Sequence, residues 1–239
     1  MKKVFYFFKK LLIEIFLPEI CISCEKEGES LCKECRSEIK REKYKSKNFR
    51  GQIGILAPLS YKNEKIKKAL FALKYQHARS IAKYLAILVA EDFLEFIKEV
   101  SESKNEYKDL ILIPIPISKK RYIARDYNQS ELILRDIILL LKNNNIHLDD
   151  NIKVDLLKKV KHTIRFADTH EREEREKLIE NAYTVDSKVC YEDNIDLQNK
   201  KIILLDDITT TGATFYEAKK TLEKNGVKRE NIFCFAIAH

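Results

Sequence analysis

The thirteen residues from Ile202 to Thr214, IILLDDITTTGAT, constrain the fold more than any other part of the chain. Four consecutive apolar residues, 202 to 205, predict a buried strand, since a short unbroken run suits a strand covered on both faces. Beyond the turn a helix is predicted over 213 to 225, closed by Asn225-Gly226, and a further strand over 232 to 238. A strand feeding a helix in this way puts the polar residues between them at the carboxyl edge of a parallel sheet, where open sheets take ligands. The helix start there offers free N–H groups and a positive dipole end to a phosphate. Gly212 lacks a Cβ that would hold phosphate oxygens off the backbone, Ala213 adds little bulk, and Thr209, Thr210, Thr211 and Thr214 bring hydroxyl donors.

Asp206 and Asp207 would repel a phosphate unless something lies between. Adjacent ribose hydroxyls answer this, because carboxylates accept their bonds while one sugar spans the gap to a 5′-phosphate in the threonine turn. Mg²⁺ riding on a pyrophosphate would offset the remaining charge. The plain alternative is an acidic turn with a threonine cap. The segment as a whole fits phosphoribosyl pyrophosphate or a related phosphorylated ribose. The five glycines, at 28, 51, 54, 212 and 226, permit neither a P-loop nor a GxGxxG turn.

Elsewhere the apolar spacing alternates between strand and helix. A strand is expected over 53 to 61, then a helix with Ile66, Ala69, Leu70 and Leu73 on one face. A longer helix presents Ile81, Leu85, Leu88, Val89, Phe93, Phe96, Ile97 and Val100 as one stripe. Leu110 to Ile113 reads as a buried strand stopped by Pro114, and a helix follows over about 130 to 142. Residues 143 to 151 read as a polar loop, and 152 to 160 and 181 to 185 as weaker strands around a charged, solvated helix, Glu171 to Lys177. Strands alternating with helices predict an α/β domain with a parallel sheet flanked by helices.

A second polar segment, Ile113 to Gln129, IPIPISKKRYIARDYNQ, leaves the strand at 110 to 113 and can reach the same sheet edge. Arg121 and Arg125 offer forked donors for phosphate, Lys119 and Lys120 add point charges, and Pro114 and Pro116 stiffen the loop that presents them. A basic surface loop is the competing reading. The formal net charge of +8 suits polyanions but is spread over most segments, so it supports nucleic-acid binding only weakly.

Cys21, Cys24, Cys32 and Cys35 pair as two CxxC units within fifteen residues, a spacing that places four thiolates around one tetrahedral ion. Structural Zn²⁺ is expected there, with Gly28 turning the loop; a closed site of four thiolates leaves no open position for catalysis. Cys190 and Cys234 read as ordinary buried residues, and His162 and His170 are given no role. The Lys-rich tract from 36 to 50 reads as a linker or solvated edge. The expected organisation is therefore an N-terminal helix and cysteine module over 1 to 50 and a main domain over 51 to 239. The opening residues carry a helical stripe, Phe5, Phe8, Leu12, Ile15 and Phe16, interrupted by Lys9, Lys10 and Glu14. It predicts packing on the protein or peripheral contact with the inner membrane, not a signal peptide or a span, so a cytoplasmic location is expected.

IILLDDITTTGAT closely resembles the signature of type I phosphoribosyltransferases, in which the paired acids hold the ribose hydroxyls and the Thr-Gly loop holds the 5′-phosphate. The resemblance assigns that pocket to Asp206, Asp207 and Thr209 to Thr214. The pattern PIPxSxxRxxxRxYNQ, with the cysteine module before it, resembles the ComF/GntX family, phosphoribosyltransferase-like proteins linked to DNA uptake in natural competence. Asp126 stands where that family commonly has glycine. The resemblance implies a type I phosphoribosyltransferase-like fold, with Ser118, Lys119, Lys120, Arg121 and Arg125 contacting pyrophosphate or nucleic-acid phosphate, and single-stranded DNA and competence proteins as partners. Whether the chain catalyses phosphoribosyl transfer to an acceptor, or only senses the metabolite, stays open at the level of sequence.

Overall fold

The computed structural model describes residues 19–42, 44–48, 53–101, 107–160 and 181–239. The N-terminal stripe, His162, His170 and the charged helix around Glu171 lie outside them.

A short helix, α1 (Lys33–Ser37), follows the paired cysteines. The main sheet is built from β1 (Tyr44–Asn48), β2 (Ile53–Ala57), β3 (Leu110–Pro114), β6 (Lys201–Ile208) and β7 (Ile232–Ala238), in the order β1-β2-β7-β6-β3. Four of these strands run parallel, and β1 closes one edge as an antiparallel hairpin with β2, pairing Tyr44 with Ala57. The tract from 36 to 50 is thus not only a linker: residues 44 to 48 form an edge strand.

Helices cover both faces of the sheet. On one face α2 (Glu64–Tyr75), α3 (Ile81–Val100) and α5 (Gln129–Lys142) pack, with Phe93 meeting Phe235 edge to face at 5.0 Å. All the predicted stripe residues of α2 and α3 are buried, except Phe96, which is partly buried against the same cluster. Each apolar side chain so placed contributes about 1.5–3 kcal/mol. Cys21, Leu31, Cys32, Cys35 and Ile39 join that cluster, so the cysteine module shares the core of this face. The other face holds α7 (Ala213–Lys224) and a separate two-stranded antiparallel sheet, β4 (Leu157–Lys159) and β5 (Tyr183–Val185), followed by α6 (Ser187–Glu192).

Local capping fixes the helix starts. Asn63 accepts from the amides of Lys65 at 2.9 Å and Ile66 at 3.3 Å, and Asn128 accepts from Ser130 at 3.2 Å. Residues 119 to 125, expected as a loop, form a helix, α4 (Lys119–Arg125), capped by Ser118, whose hydroxyl accepts from the Arg121 amide at 3.4 Å. It ends at Asp126, which adopts the left-handed φ of +63°. That conformation favours glycine but admits Asp, and here Arg79 holds the Asp126 carboxylate at 2.7 Å.

Candidate functional site

The two polar segments singled out in the sequence converge because their strands are neighbours. β3 pairs in register with β6, Pro114 opposite Leu205, and the Ile115 amide donates to the Leu205 carbonyl at 2.8 Å. Asn128 Nδ2 then donates to the Ile115 carbonyl at 3.0 Å, which ties the start of α5 to the same strand end. β6 runs three residues past the predicted end, so Asp206 and Asp207 belong to the strand rather than to the turn. Successive strand residues face opposite ways, and the two carboxylates therefore diverge.

Asp207, 5% exposed, meets Lys74 of α2 at 2.8 Å. Asp206 accepts from the Ser130 hydroxyl and from the Asp207 amide, both at 2.9 Å. Burial, with the Asp207 charge beside it, pushes the Asp206 carboxyl up from 3.8 to about 7, and Lys74 and Ser130 only partly oppose this. Two further groups share its field. Lys159 on β4 is lowered to about 8 by burial first and then by Arg121, while Asp206 pulls the other way. Tyr183 on β5, raised by burial and then by Asp206, carries its hydroxyl 3.4 Å from Lys159 Nζ, and the ammonium lies 5.2 Å from its ring centre. Lys159, Tyr183, Lys74 and Ser130 were not identified from sequence; each comes from a segment remote from the acidic strand.

The turn after β6 leads directly into a helix start. Gly212 takes φ +78°, α7 begins at Ala213, and the first helical bond runs from the Tyr216 amide to the Gly212 carbonyl at 2.9 Å. The Thr209 amide is used by the Ala238 carbonyl at 3.0 Å, and Thr211 Oγ1 accepts a long 3.4 Å bond from the Ala213 amide. The amides of Thr210, Thr211 and Gly212 have no backbone acceptor among the described residues. Thr210 and Thr211 are exposed, Thr209 is buried and Thr214 is intermediate.

On α4, the Arg121 charge acts on Lys159 and Tyr183. Arg125 donates to Gln129 Oε1 at 2.9 Å and lies 5.4 Å from the Tyr75 ring centre, and Asp207 acts on its charge. Gln129 is 1% exposed and its Nε2 has no partner among the described residues, which leaves a buried donor beside that guanidinium. Lys119 and Lys120 are exposed on the outer side of the helix.

The four cysteine thiols lie within 4.8 Å of one another, with Cys24 and Cys32 sulfurs 3.6 Å apart. Tetrahedral Zn–S bonds of about 2.3 Å put sulfurs roughly 3.8 Å apart, so the group fits one such metal ion. Burial opposes ionisation of Cys21, but amide hydrogen bonds led by that of Cys32 outweigh it and bring the thiol down to about 6. Cys234 is buried as expected, whereas Cys190 is only partly so.

At the opposite edge of the sheet a cavity of about 670 Å³ is lined by Tyr107, His147, Asp150, Lys153, Asp193 and Lys200 among others. Its size is not matched by its chemistry, since Lys153 and Asp193 already pair at 2.7 Å.

No family model matches the chain. Competence protein F of Haemophilus influenzae is 25% identical over 231 residues, covering 92% of this chain and 90% of that protein. Competence protein ComFC of Streptococcus pneumoniae is 32% identical over 138 residues, 58% of this chain and 53% of that protein. These two matches support membership of the ComF family. None of the chain's helices is long and apolar enough to cross a membrane among the described residues.

Proposed function

We propose that the protein binds phosphoribosyl pyrophosphate, or a close relative of it, at the carboxyl edge of β3 and β6, and that it acts in natural competence, where it handles incoming single-stranded DNA. The observation that carries the first part is the meeting of a turn, whose Thr210 to Gly212 amides have no backbone acceptor among the described residues, with a carboxyl raised to about 7 in whose field Lys159 lies. A sugar hydroxyl relieves the cost of Asp206, and phosphate groups draw on the turn amides and the cations. Mg²⁺ enters with the pyrophosphate of the ligand. The competence role rests on the names of the two relatives.

The test is calorimetric titration with phosphoribosyl pyrophosphate and Mg²⁺. Wild type is expected to bind, and the Asp206→Asn/Asp207→Asn variant to lose at least about a hundredfold in affinity, as when several charge-assisted bonds go together. Equal affinity of the two proteins would remove the pocket from this strand end.

A second reading, true phosphoribosyl transfer, is favoured by one feature. Lys159, lowered to about 8, is an amine that exchanges protons near neutrality beside the carboxyl edge. In that reaction a nucleophile bonds to C1 of the ribose while the C1–O bond breaks and pyrophosphate leaves with the electron pair. Pyrophosphate release that depends on an added acceptor would establish it.

Zn²⁺ is the metal proposed for the cysteine cluster, because four thiolates suit it and the sulfur spacing fits. Elemental analysis of reduced, folded protein is expected to find one zinc per chain, and a clear shortfall would count against the assignment.

A further inference from the structure

The outer face of α2 carries more aromatic surface than a solvated helix needs. Lys67, Lys68, Phe71 and Tyr75 recur at three- and four-residue spacing and so share one side. Phe71 is 52% and Tyr75 50% exposed, with ring centres 5.0 Å apart and planes tilted by 43°. Arg125 of α4 leans over the Tyr75 ring and joins the two helices, and Tyr122 on α4 is half exposed as well. Lys119 and Lys120 are exposed in the first turn of α4. Lys74, on the inner margin of the same stripe, reaches Asp207, so the patch runs up to the mouth of the pocket.

We propose that the outer faces of α2 and α4 form a docking track for a single-stranded nucleic acid, with bases stacked on Phe71 and Tyr75 and phosphates on Lys68, Lys119, Lys120 and Arg125. This rests on the nucleic-acid part of the proposed function and names the surface for it. Charge complementarity selects the occupant: the rings stand among cations, and Glu64, which sits near Lys67 at 3.4 Å, is the acidic residue of the stripe. A protein partner would favour a face poor in lysine. A duplex keeps its bases stacked on one another, whereas a single strand offers them to aromatic platforms in a cationic groove. At 5.0 Å the two rings leave no slot for a base between them, so bases cap their outward faces.

The experiment is fluorescence anisotropy of a labelled oligothymidylate with the full chain, over a range of salt. Phe71→Ala and Tyr75→Ala are each expected to weaken binding by about five- to a hundredfold, the range for losing one stacked base. Phe71→Tyr should stay within about twofold of wild type. Phe71→Ala should leave titration with phosphoribosyl pyrophosphate unchanged, which separates the track from the pocket and verifies the fold. Replacing Lys68, Lys119 and Lys120 by Gln should lower the salt slope by roughly 0.7 per charge. If wild type binds no oligonucleotide, the nucleic-acid part of the proposed function fails and the track with it. If wild type binds and both alanine variants bind equally well, the track alone is overturned. Self-association abolished by Phe71→Ala, with oligonucleotide affinity intact, would assign the stripe to a second copy of the chain and overturn it too.

Discussion

The two edges of the central sheet are both polar, yet they differ in how their charges are satisfied. At the amino edge, around the cavity of about 670 Å³, Lys153 pairs with Asp193, Lys200 donates to the Lys108 carbonyl at 2.7 Å, and Asn151 donates to the carbonyls of Tyr107 and Leu110. At the carboxyl edge Asp206 is driven up to about 7 and Lys159 down to about 8, and the buried Gln129 Nε2 has no partner among the described residues. One edge is electrostatically at rest. The other holds groups that a ligand with hydroxyls and phosphates would relieve, and perturbed titration of that kind gathers at functional sites.

The largest effect expected from this contrast is on stability. Asp206 has a folded value near 7 against an ordinary 3.8, so its protonated form favours the native state. The sign follows: its contribution is complete below about pH 4 and is lost as pH rises to about 7. Asp206→Asn removes that loss. At pH 8 the variant should therefore be more stable than wild type by on the order of 2–4 kcal/mol, a rise in melting temperature of roughly 5 °C or more, with little difference at pH 4. Thermal melts of ligand-free protein across pH 4 to 8 measure it. Because the same substitution is expected to weaken ligand binding, stability and function would move in opposite directions at this residue. A flat difference across pH would erase the contrast between the edges.

The fold was legible where one periodicity ruled a segment. The stripes of α2 and α3 and the runs of β3, β6 and β7 declared themselves because burial follows spacing. β1 did not, since an edge strand reading YKSKN has no apolar alternation to betray it. α4 buries none of its residues and so shows no stripe; Ser118 three residues before Arg121 was the available sign, as a cap. Within the site, the threonine turn and the acids were readable because they are contiguous. Lys74, Ser130, Lys159 and Tyr183 reach it from α2, α5, β4 and β5, and only tertiary packing brings them there. The divergence of the two acids was also hidden, because it depends on β6 continuing to Ile208.

Lys159 and Lys153, lysines at opposite edges of the sheet, give the smallest and most discriminating test. Lys153 is partly exposed and already paired, so Lys153→Met should change stability by about 1 kcal/mol or less and leave affinity for phosphoribosyl pyrophosphate within about twofold. Lys159→Met keeps the apolar stem against Tyr183 but removes the ammonium, and affinity should fall about tenfold, the worth of one charge-assisted contact to phosphate. The pH dependence separates a direct contact from a packing defect. Lys159 in the free protein titrates at about 8, and a bound phosphate would raise that value. Below it the amine is already charged; above it binding must draw in a proton, so wild-type affinity should weaken as pH rises past 8, and that trend should vanish in Lys159→Met. Calorimetry at pH 7 and pH 9 reads both quantities. Equal losses from the two lysines would mean that the charged edge is no more a ligand site than the paired one.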